Sequence, residues 1–541
     1  MGVFTLLTAL VMSCTSAAAE PVAAPSVSTV SAPAVKAATT STKEQKRSAG
    51  VKNPKVVWAK SCKKGFSCGT VKVPLDYDDP KGTQVSIALV RLKATNQAKK
   101  IGVLFVNPGG PGSSGITLLY QSKSMFSKTL RTYFDIVGFD PRGIGKSTSL
   151  QCFASSSQQY KSVGSGMGTA FPVGATQQKK FLASAKAIAV NCSKNALAKS
   201  MSTAEVARDL DVLRRAFHQP YLTYLGFSYG SYIGSVYASL YPDRVRAIVM
   251  DGVVEPVAWA GTKATKYIPS TIRIGAAKAA QQTLEAVFTR CVEVGAPACP
   301  LAPDPATSFN TLVERIKVKP LPIVSLDSWQ AYEQLTLESL YTPAGIESWA
   351  TLTANLLVST DPKQNPSLKM KALTASKVAL AKLQRINSKA AFGYNNSVES
   401  FSAVLCTDSR NPTWQSSWAK NVARADAASP HFGRIWLWES AVCATKYWTG
   451  KDEDAYRGPF NKATRNPLLL VGSPYDAATN YDAAATTAAR LPNAYLMKTN
   501  TFGHTSYGYS ECATSAIDAY LVSRAAPPAE CPADTTGLLF E

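Results

Sequence analysis

Short apolar runs recur along the chain at 68–75, 84–92, 101–107, 134–140, 221–227, 246–251, 467–472 and 494–499. They alternate with helical patterns that begin after about residues 113, 203, 231, 480 and 512. This alternation predicts an α/β architecture, a mostly parallel sheet with helices on both faces. Between Glu255 and about Arg465 the strand signal fades. Helical windows dominate there, several rich in alanine: Ala276–Val287, Ala350–Leu357 and Leu368–Leu383. The pattern predicts a large helical insertion between the sixth and seventh strands, lying as a cap at one end of the sheet. No internal repeat is present.

One run carries chemistry. The strand pattern at 221–227 leads into Gly226-Phe-Ser-Tyr-Gly230, and Ser231-Tyr-Ile-Gly-Ser-Val-Tyr-Ala-Ser-Leu240 then reads as a helix. Strand, G-x-S-x-G, helix describes a nucleophile elbow, the mark of an α/β-hydrolase. The serine sits on a sharp, strained turn, and the flanking residues are small because strand and helix backbones pass close there. Taken alone the pattern is weak. Two further segments strengthen it. Val103-Leu-Phe-Val-Asn-Pro-Gly-Gly-Pro-Gly-Ser-Ser-Gly115 runs a strand into a glycine-rich turn, where this fold keeps an oxyanion donor. Pro467-Leu-Leu-Leu-Val-Gly-Ser-Pro-Tyr-Asp476 and Thr501-Phe-Gly-His504 then supply an acid and a histidine in the order the fold requires.

The chain has 3 histidines, His218, His431 and His504. A serine hydroxyl needs a base titrating near neutrality. His218 lies in Phe-His-Gln-Pro before the nucleophile strand and reads as a solvated turn. His431, in Ser-Pro-His-Phe-Gly, reads as a cap loop. His504 follows a strand pattern in a Gly-His turn and is the expected base. Asp476 ends an apolar strand, which places it to hold the imidazole tautomer. Its competing reading is a cap for a helix starting near Thr479. Asp482 falls inside that helix.

With these segments in view, the chain resembles the secreted actinobacterial tripeptidyl aminopeptidases, α/β-hydrolases related to prolyl aminopeptidases. The resemblance covers nearly everything after residue 55. Its carriers are Cys68-Gly-Thr-Val-Lys-Val-Pro-Leu-Asp-Tyr77, Asn107-Pro-Gly-Gly-Pro-Gly112, Phe134-Asp-Ile-Val-Gly-Phe-Asp-Pro-Arg-Gly-Ile-Gly-Lys-Ser147, Gly226–Gly230, Asp251-Gly-Val-Val-Glu-Pro256 and the Cys443 to Trp448 segment. It implies a serine exopeptidase acting on peptides from a free N-terminus. After the acid the family commonly shows Pro-Val-Thr-Pro, where this chain has Ala477-Ala-Thr-Asn480. The acid keeps its place, and the adjoining loop departs from the pattern.

The expected mechanism uses Ser228 as nucleophile, His504 as base and Asp476 as its orienting acid. The oxyanion would rest on the backbone N–H groups of Tyr229 and Gly110, since Pro111 has none. An aminopeptidase must also hold an ammonium, and the cap offers Asp408, in Cys406-Thr-Asp-Ser, and Glu439, in Trp436-Leu-Trp-Glu-Ser. For each, a structural salt bridge is the competing reading. Two other classes remain open. An esterase with the same triad needs no cap carboxylate. A non-catalytic envelope-binding protein is opposed by the intact serine, histidine and glycine turn.

Composition adds compartment and partners. Residues 1–14 are apolar, end in Cys14 and precede Thr-Ser-Ala-Ala-Ala19, which predicts a signal peptide at 1–19 rather than a membrane span. It lacks a basic n-region. Cleavage after Ala19 competes with lipid attachment at Cys14 in Val-Met-Ser-Cys, an imperfect lipobox, so the protein is expected to be secreted or envelope-attached. Of 11 cysteines, those other than Cys14 fall into sequence-local pairs: 62 and 68, 152 and 192, 291 and 299, 406 and 443, 512 and 531. That suits disulfides and an oxidising compartment. No C-x-x-C occurs and histidines are few, so no metal or cofactor is expected. Residues 20–54, rich in Ala, Val, Ser, Thr and Pro and then Lys, predict a disordered basic linker. The formal net charge of +22 fits either a solvated surface or attraction to an anionic cell envelope. Nucleic acid is not expected, because the basic residues are dispersed. The organisation is then a hydrolase core at 55–255, a helical cap at 256–465 and the second part of the core, with acid and histidine, at 466–541.

Overall fold

The structure, a computed structural model, describes residues 33, 35–121, 123–164, 166–321, 328–386, 394–534 and 538–540. The expected signal peptide at 1–19, with Cys14, and most of 20–34 lie outside the described residues. Among the described residues ten strands form one sheet. They are β1 (Val57–Trp58), β2 (Ser67–Pro74), β3 (Gln84–Leu92), β4 (Gly102–Asn107), β5 (Phe134–Phe139), β6 (Leu222–Phe227), β7 (Val245–Asp251), β8 (Leu468–Gly472), β9 (Ala494–Thr499) and β10 (Glu530–Cys531). Their order is β1-β2-β3-β5-β4-β6-β7-β8-β9-β10. The pairs from β1 to β5 through β2 and β3 are antiparallel. Every pairing from β5 through β4 to β10 is parallel.

The central strands are apolar at successive positions because both faces are covered. Val103 and Phe105 of β4, and Leu468 and Leu470 of β8, enter one apolar cluster. Their neighbours Leu104, Val106, Leu469 and Val471 enter the other. Parallel pairing brings the C-terminal ends of β4, β6, β7, β8 and β9 to one edge, and the loops leaving that edge carry the glycine-rich turn, Ser228, Gly252, Asp476 and His504. Ligands and chemistry collect at that edge in open α/β sheets.

The helical insertion lies between β7 and β8, as the fading strand signal predicts. Its helices include Ala276–Val294, Pro305–Val318, Pro343–Thr360, Pro366–Ile386, Ser397–Asp408 and Gly433–Glu439. Cap and core are joined by more than the two crossings. Leu539 and Phe540 are buried in the apolar cluster that contains the cap interior. Arg290 Nε donates to Leu539 O at 3.3 Å. The Phe540 N–H donates to Glu347 Oε1 at 3.1 Å. Disulfides join Cys62–Cys68, Cys152–Cys192, Cys291–Cys299, Cys406–Cys443 and Cys512–Cys531, the neighbour pairing that the spacing predicts. Among the described residues no helix is long and apolar enough to cross a membrane.

The linker expectation for 20–54 fails at its end. Thr42–Gly50 is a helix, capped by Ser41, whose hydroxyl accepts the Glu44 N–H. The helix is polar, and tertiary ion pairs hold it. Glu44 is buried, and its carboxylate accepts from Arg208 Nε and Nη2 at 3.0 and 2.8 Å, from Arg47 Nη1 at 2.8 Å and from the Tyr241 hydroxyl at 3.2 Å. Arg47 also forks onto Asp78 with both contacts at 2.7 Å, and pairs with Asp454 of the segment returning from the cap. The charge run that reads as a solvated tail is a clamp.

Candidate active site

Ser228 has φ 56° and ψ −127° and caps the helix Tyr229–Leu240. A non-glycine residue holds such a conformation only where its surroundings impose it. The Ser228 N–H donates to Asp251 O of the neighbouring strand at 2.9 Å, and the Ser228 carbonyl accepts from Ser231 N–H at 2.8 Å. The small flanking residues are demanded by space. A Cβ on Gly226 would stand 2.3 Å from Gly230 O, and one on Gly230 would stand 2.8 Å from Asn107 O.

The glycine-rich turn after β4 presses against this elbow. A Cβ on Gly109 would lie 2.5 Å from Phe227 O and 2.9 Å from Tyr229 N. The Gly109 N–H is occupied, donating to Asn107 Oδ1 at 2.9 Å. Asp140, at the end of β5, fixes the far side of the turn by accepting from the Ser114 hydroxyl at 2.6 Å and the Ile116 N–H at 3.1 Å. The Gly109 N–H is thus taken and Pro111 has none, which leaves Gly110 as the candidate donor that the sequence predicts.

Asp476 and His504 meet at the ends of β8 and β9. His504 Nδ1 lies 2.8 Å from Asp476 Oδ1 and 2.9 Å from Oδ2. Asp476 is 1% exposed. Oδ1 accepts from the Ala478 and Thr479 N–H groups, each at 2.8 Å. Oδ2 accepts from the Thr479 hydroxyl at 3.0 Å and the Thr505 N–H at 3.2 Å. It is not the cap of the next helix; Asn480 caps Tyr481–Arg490, and Asp482 lies exposed in its first turn. Burial alone would raise the Asp476 carboxyl, but the imidazole beside it and the amide donors bring its pKa below the ordinary value. For His504, burial favours the neutral ring, but the Asp476 charge and hydrogen bond, with Asp251 adding, outweigh it and raise the pKa above 6.5. His504 Nε2 is buried and has no hydrogen-bond partner, Ser228 Oγ included. Such contacts often close only when substrate is bound.

Sequence reasoning overlooked Thr479, whose hydroxyl also stands 3.4 Å from His504 Nδ1. Its signal was present: it is the threonine of Ala477-Ala-Thr-Asn480, the one position that matches the Pro-Val-Thr-Pro pattern at the same offset from the acid. Tyr341 of the cap was overlooked too. Its carbonyl accepts the His504 N–H at 2.9 Å, and its ring meets the imidazole edge-on with centroids 5.0 Å apart.

The two cap carboxylates separate clearly. Asp408 is 1% exposed. It accepts from Thr203 N–H at 2.7 Å, Thr203 Oγ1 at 2.6 Å and Trp259 Nε1 at 3.0 Å. Thr203 Oγ1 in turn meets the Tyr229 hydroxyl. Asp408 is therefore closed to a substrate ammonium, and its carboxyl, pushed up to about 6 by burial against the pull of those donors, braces the elbow from beneath. Glu439 ends the helix Gly433–Glu439 and is exposed; burial raises the Tyr341 phenol, and the Glu439 charge adds to it. His431 is no solvated loop residue: its Nδ1 lies 3.0 Å from buried Glu333 Oε1, and its ring packs on Phe309. A cavity of about 680 Å³, lined by Arg290, Tyr475, Phe502 and Leu538 among others, lies behind the acid loop and does not include Ser228 or His504. Among the described residues, groups with metal-ligand geometry are the Cys152–Cys192 disulfide with Glu399, and Asp76, Glu453 and Asp454. Asp454 is already engaged by Lys43 and Arg47.

A family model described as alpha/beta hydrolase fold matches residues 102–268, which hold the glycine-rich turn and the elbow. The chain has the α/β-hydrolase fold. A second model, described as TAP-like protein, matches residues 429–533, which hold Glu439, Asp476 and His504. This α/β-hydrolase is 29% identical over 483 residues to serine protease Hip1 of Mycobacterium tuberculosis, covering 86% of each chain. It is 28% identical over 486 residues to a tripeptidyl aminopeptidase of Streptomyces lividans, covering 85% of this chain and 82% of that one. It is also 28% identical over 475 residues to carboxylesterase B of Mycobacterium tuberculosis, covering 85% of each.

Proposed function

We propose that this α/β-hydrolase is a secreted serine exopeptidase, a tripeptidyl or related aminopeptidase, working through Ser228, His504 and Asp476. The observation that carries the reading is the buried Asp476 carboxylate holding His504 Nδ1, at the same sheet edge as a serine in a strained elbow. Ser228 Oγ attacks the scissile carbonyl as its proton passes to His504 Nε2. The Tyr229 and Gly110 N–H groups receive the oxyanion, a contact worth about 3 kcal/mol per donor in comparable sites. Collapse expels the peptide amine, which takes the proton from His504. Water, deprotonated by the same imidazole, then cleaves the acyl-enzyme and restores Ser228. Glu439 serves as the ammonium anchor, since Asp408 is sealed. The disulfides support passage to an oxidising compartment.

The carboxylesterase relative keeps a second reading in play, an esterase with the same triad. One comparison separates them: hydrolysis of a tripeptide anilide against its N-acetyl form. Losing a hydrogen-bonded charge contact costs about 1.5–3 kcal/mol, so acetylation lowers kcat/KM roughly 10- to 150-fold. Glu439→Gln removes most of that discrimination and Asp408→Asn leaves it. Equal rates for the two substrates would overturn the aminopeptidase reading in favour of the esterase.

A further inference from the structure

A second carboxylate lies behind the imidazole. Asp251 ends β7 and is 0% exposed. Its backbone carbonyl accepts the Ser228 N–H at 2.9 Å. Its side chain reaches the opposite way, to the loop after His504. Oδ1 and Oδ2 each lie 3.0 Å from the Ser506 nitrogen, and Oδ2 accepts from the Tyr507 N–H at 2.8 Å. One residue thus holds the nucleophile turn by its main chain and the histidine loop by its side chain. The next residue confirms how tight the join is. A Cβ on Gly252 would stand 3.3 Å from His504 Cε1 and 2.9 Å from Thr479 Oγ1.

The choice of a charged group here needs explaining. Backbone amides alone would be served by a neutral asparagine. A buried carboxylate with amide donors and no Lys or Arg partner is costly to keep ionised. Its amide partners Ser506 and Tyr507 follow His504 by two and three residues, and the charges that act on it are the His504 imidazolium and the Asp476 carboxylate. The groups around the ring are therefore Asp476 at Nδ1, Asp251 from β7, and Tyr341, with Glu439 beyond it, from the cap. Both buried carboxylates favour the charged ring, which is the form present when Ser228 has given up its proton.

We propose that Asp251 is a positioning residue of the serine hydrolase reaction, tying the nucleophile elbow to the histidine loop and supplying a second negative charge that stabilises the His504 imidazolium. Its carboxyl is pushed up to about 6 by burial, opposed by the two amide donors, so it is ionised at and above neutral pH, where the base must work. The inference rests on His504 being the base.

The test uses the full-length protein and a fluorophosphonate, which reports activation of the serine without requiring a peptide substrate. The rate of Ser228 phosphonylation is followed from pH 4 to 9. His504→Ala abolishing labelling establishes the base separately, and labelling that survives it sinks the triad itself rather than this inference. Asp251→Asn retains an oxygen for the Ser506 and Tyr507 amides and loses the charge. Because the charge raises the His504 pKa, its removal lowers the midpoint of the acid limb. The expected result is a midpoint moved down by at least half a pH unit, with a plateau rate reduced about tenfold. Gly252→Ala keeps the charge and crowds the ring, so it lowers the plateau and leaves the midpoint. Asp251→Glu, which also keeps the charge, holds the wild-type midpoint and serves where the asparagine variant does not fold. A folded Asp251→Asn protein with an unmoved midpoint, or an Asp251→Glu midpoint that falls by half a unit, overturns the proposal.

Discussion

Replacing Asp476 by asparagine changes one atom and tests the whole arrangement. Both carboxylate oxygens are fully used. Oδ1 takes two backbone amides at 2.8 Å, while Oδ2 takes the Thr479 hydroxyl and the Thr505 N–H. The asparagine carbonyl therefore belongs at the Oδ1 position, where two amides have no alternative acceptor. That leaves the NH2 at the Oδ2 position, 2.9 Å from His504 Nδ1, competing with the retained oxygen at 2.8 Å. An amide hydrogen facing Nδ1 favours the tautomer with its proton on Nε2, which cannot accept from the serine. The Thr505 N–H loses its acceptor as well, whereas Thr479 adapts by turning its hydroxyl. In serine hydrolases of this kind such a change costs about 10⁴-fold in kcat, or about 5.5 kcal/mol of transition-state stabilisation. The assay is single-turnover acylation with an activated ester, alongside thermal melting to establish that the variant is folded. A loss of less than about 100-fold in a folded variant would refute the assignment, because removing the orienting charge of a triad costs far more than that.

Ser228→Ala and His504→Ala should each remove activity by several powers of ten, and the double variant should be scarcely worse, because the pair acts as a unit; retention of a tenth of the activity in Ser228→Ala would exclude it as nucleophile. Glu44→Ala leaves Arg208 buried and short of a partner, which costs about 3–5 kcal/mol. At about 2.1 cal/mol/K per residue over 541 residues, the melting temperature should fall by roughly 3–4 °C, with faster tryptic cleavage between Lys43 and Lys52. A shift below 1 °C would show that the N-terminal helix is held by something other than its ion pairs.

The strands and the reacting residues were readable from the chain because their signals are local. Strands covered on both faces appear as unbroken apolar runs, and the elbow needs its glycines within two residues of the serine. What escaped depends on partners distant in sequence. Asp408 looks like an available cap carboxylate until Thr203 and Trp259, 205 and 149 positions away, are seen to occupy it. His431 looks like a loop histidine until Glu333, 98 positions away, pairs with it. The helix Thr42–Gly50 has no apolar face, so periodicity could not reveal it; Arg208, 164 positions on, is what orders Glu44. Asp251 stands in one of the segments that carry the family resemblance, but its link to Ser506 spans 255 positions and leaves no trace in spacing.

The insertion between β7 and β8 also sets a schedule. Ser228 and its elbow emerge early in synthesis, but the base and its acid follow only after the whole cap, and the strands that carry them are needed to extend the sheet beyond β7. The segment carrying Leu539 and Phe540, buried among the cap helices, follows β10. A growing chain therefore carries Ser228 before the residues proposed to activate it. On the proposed mechanism, the group that activates Ser228 joins it only after the cap has been made.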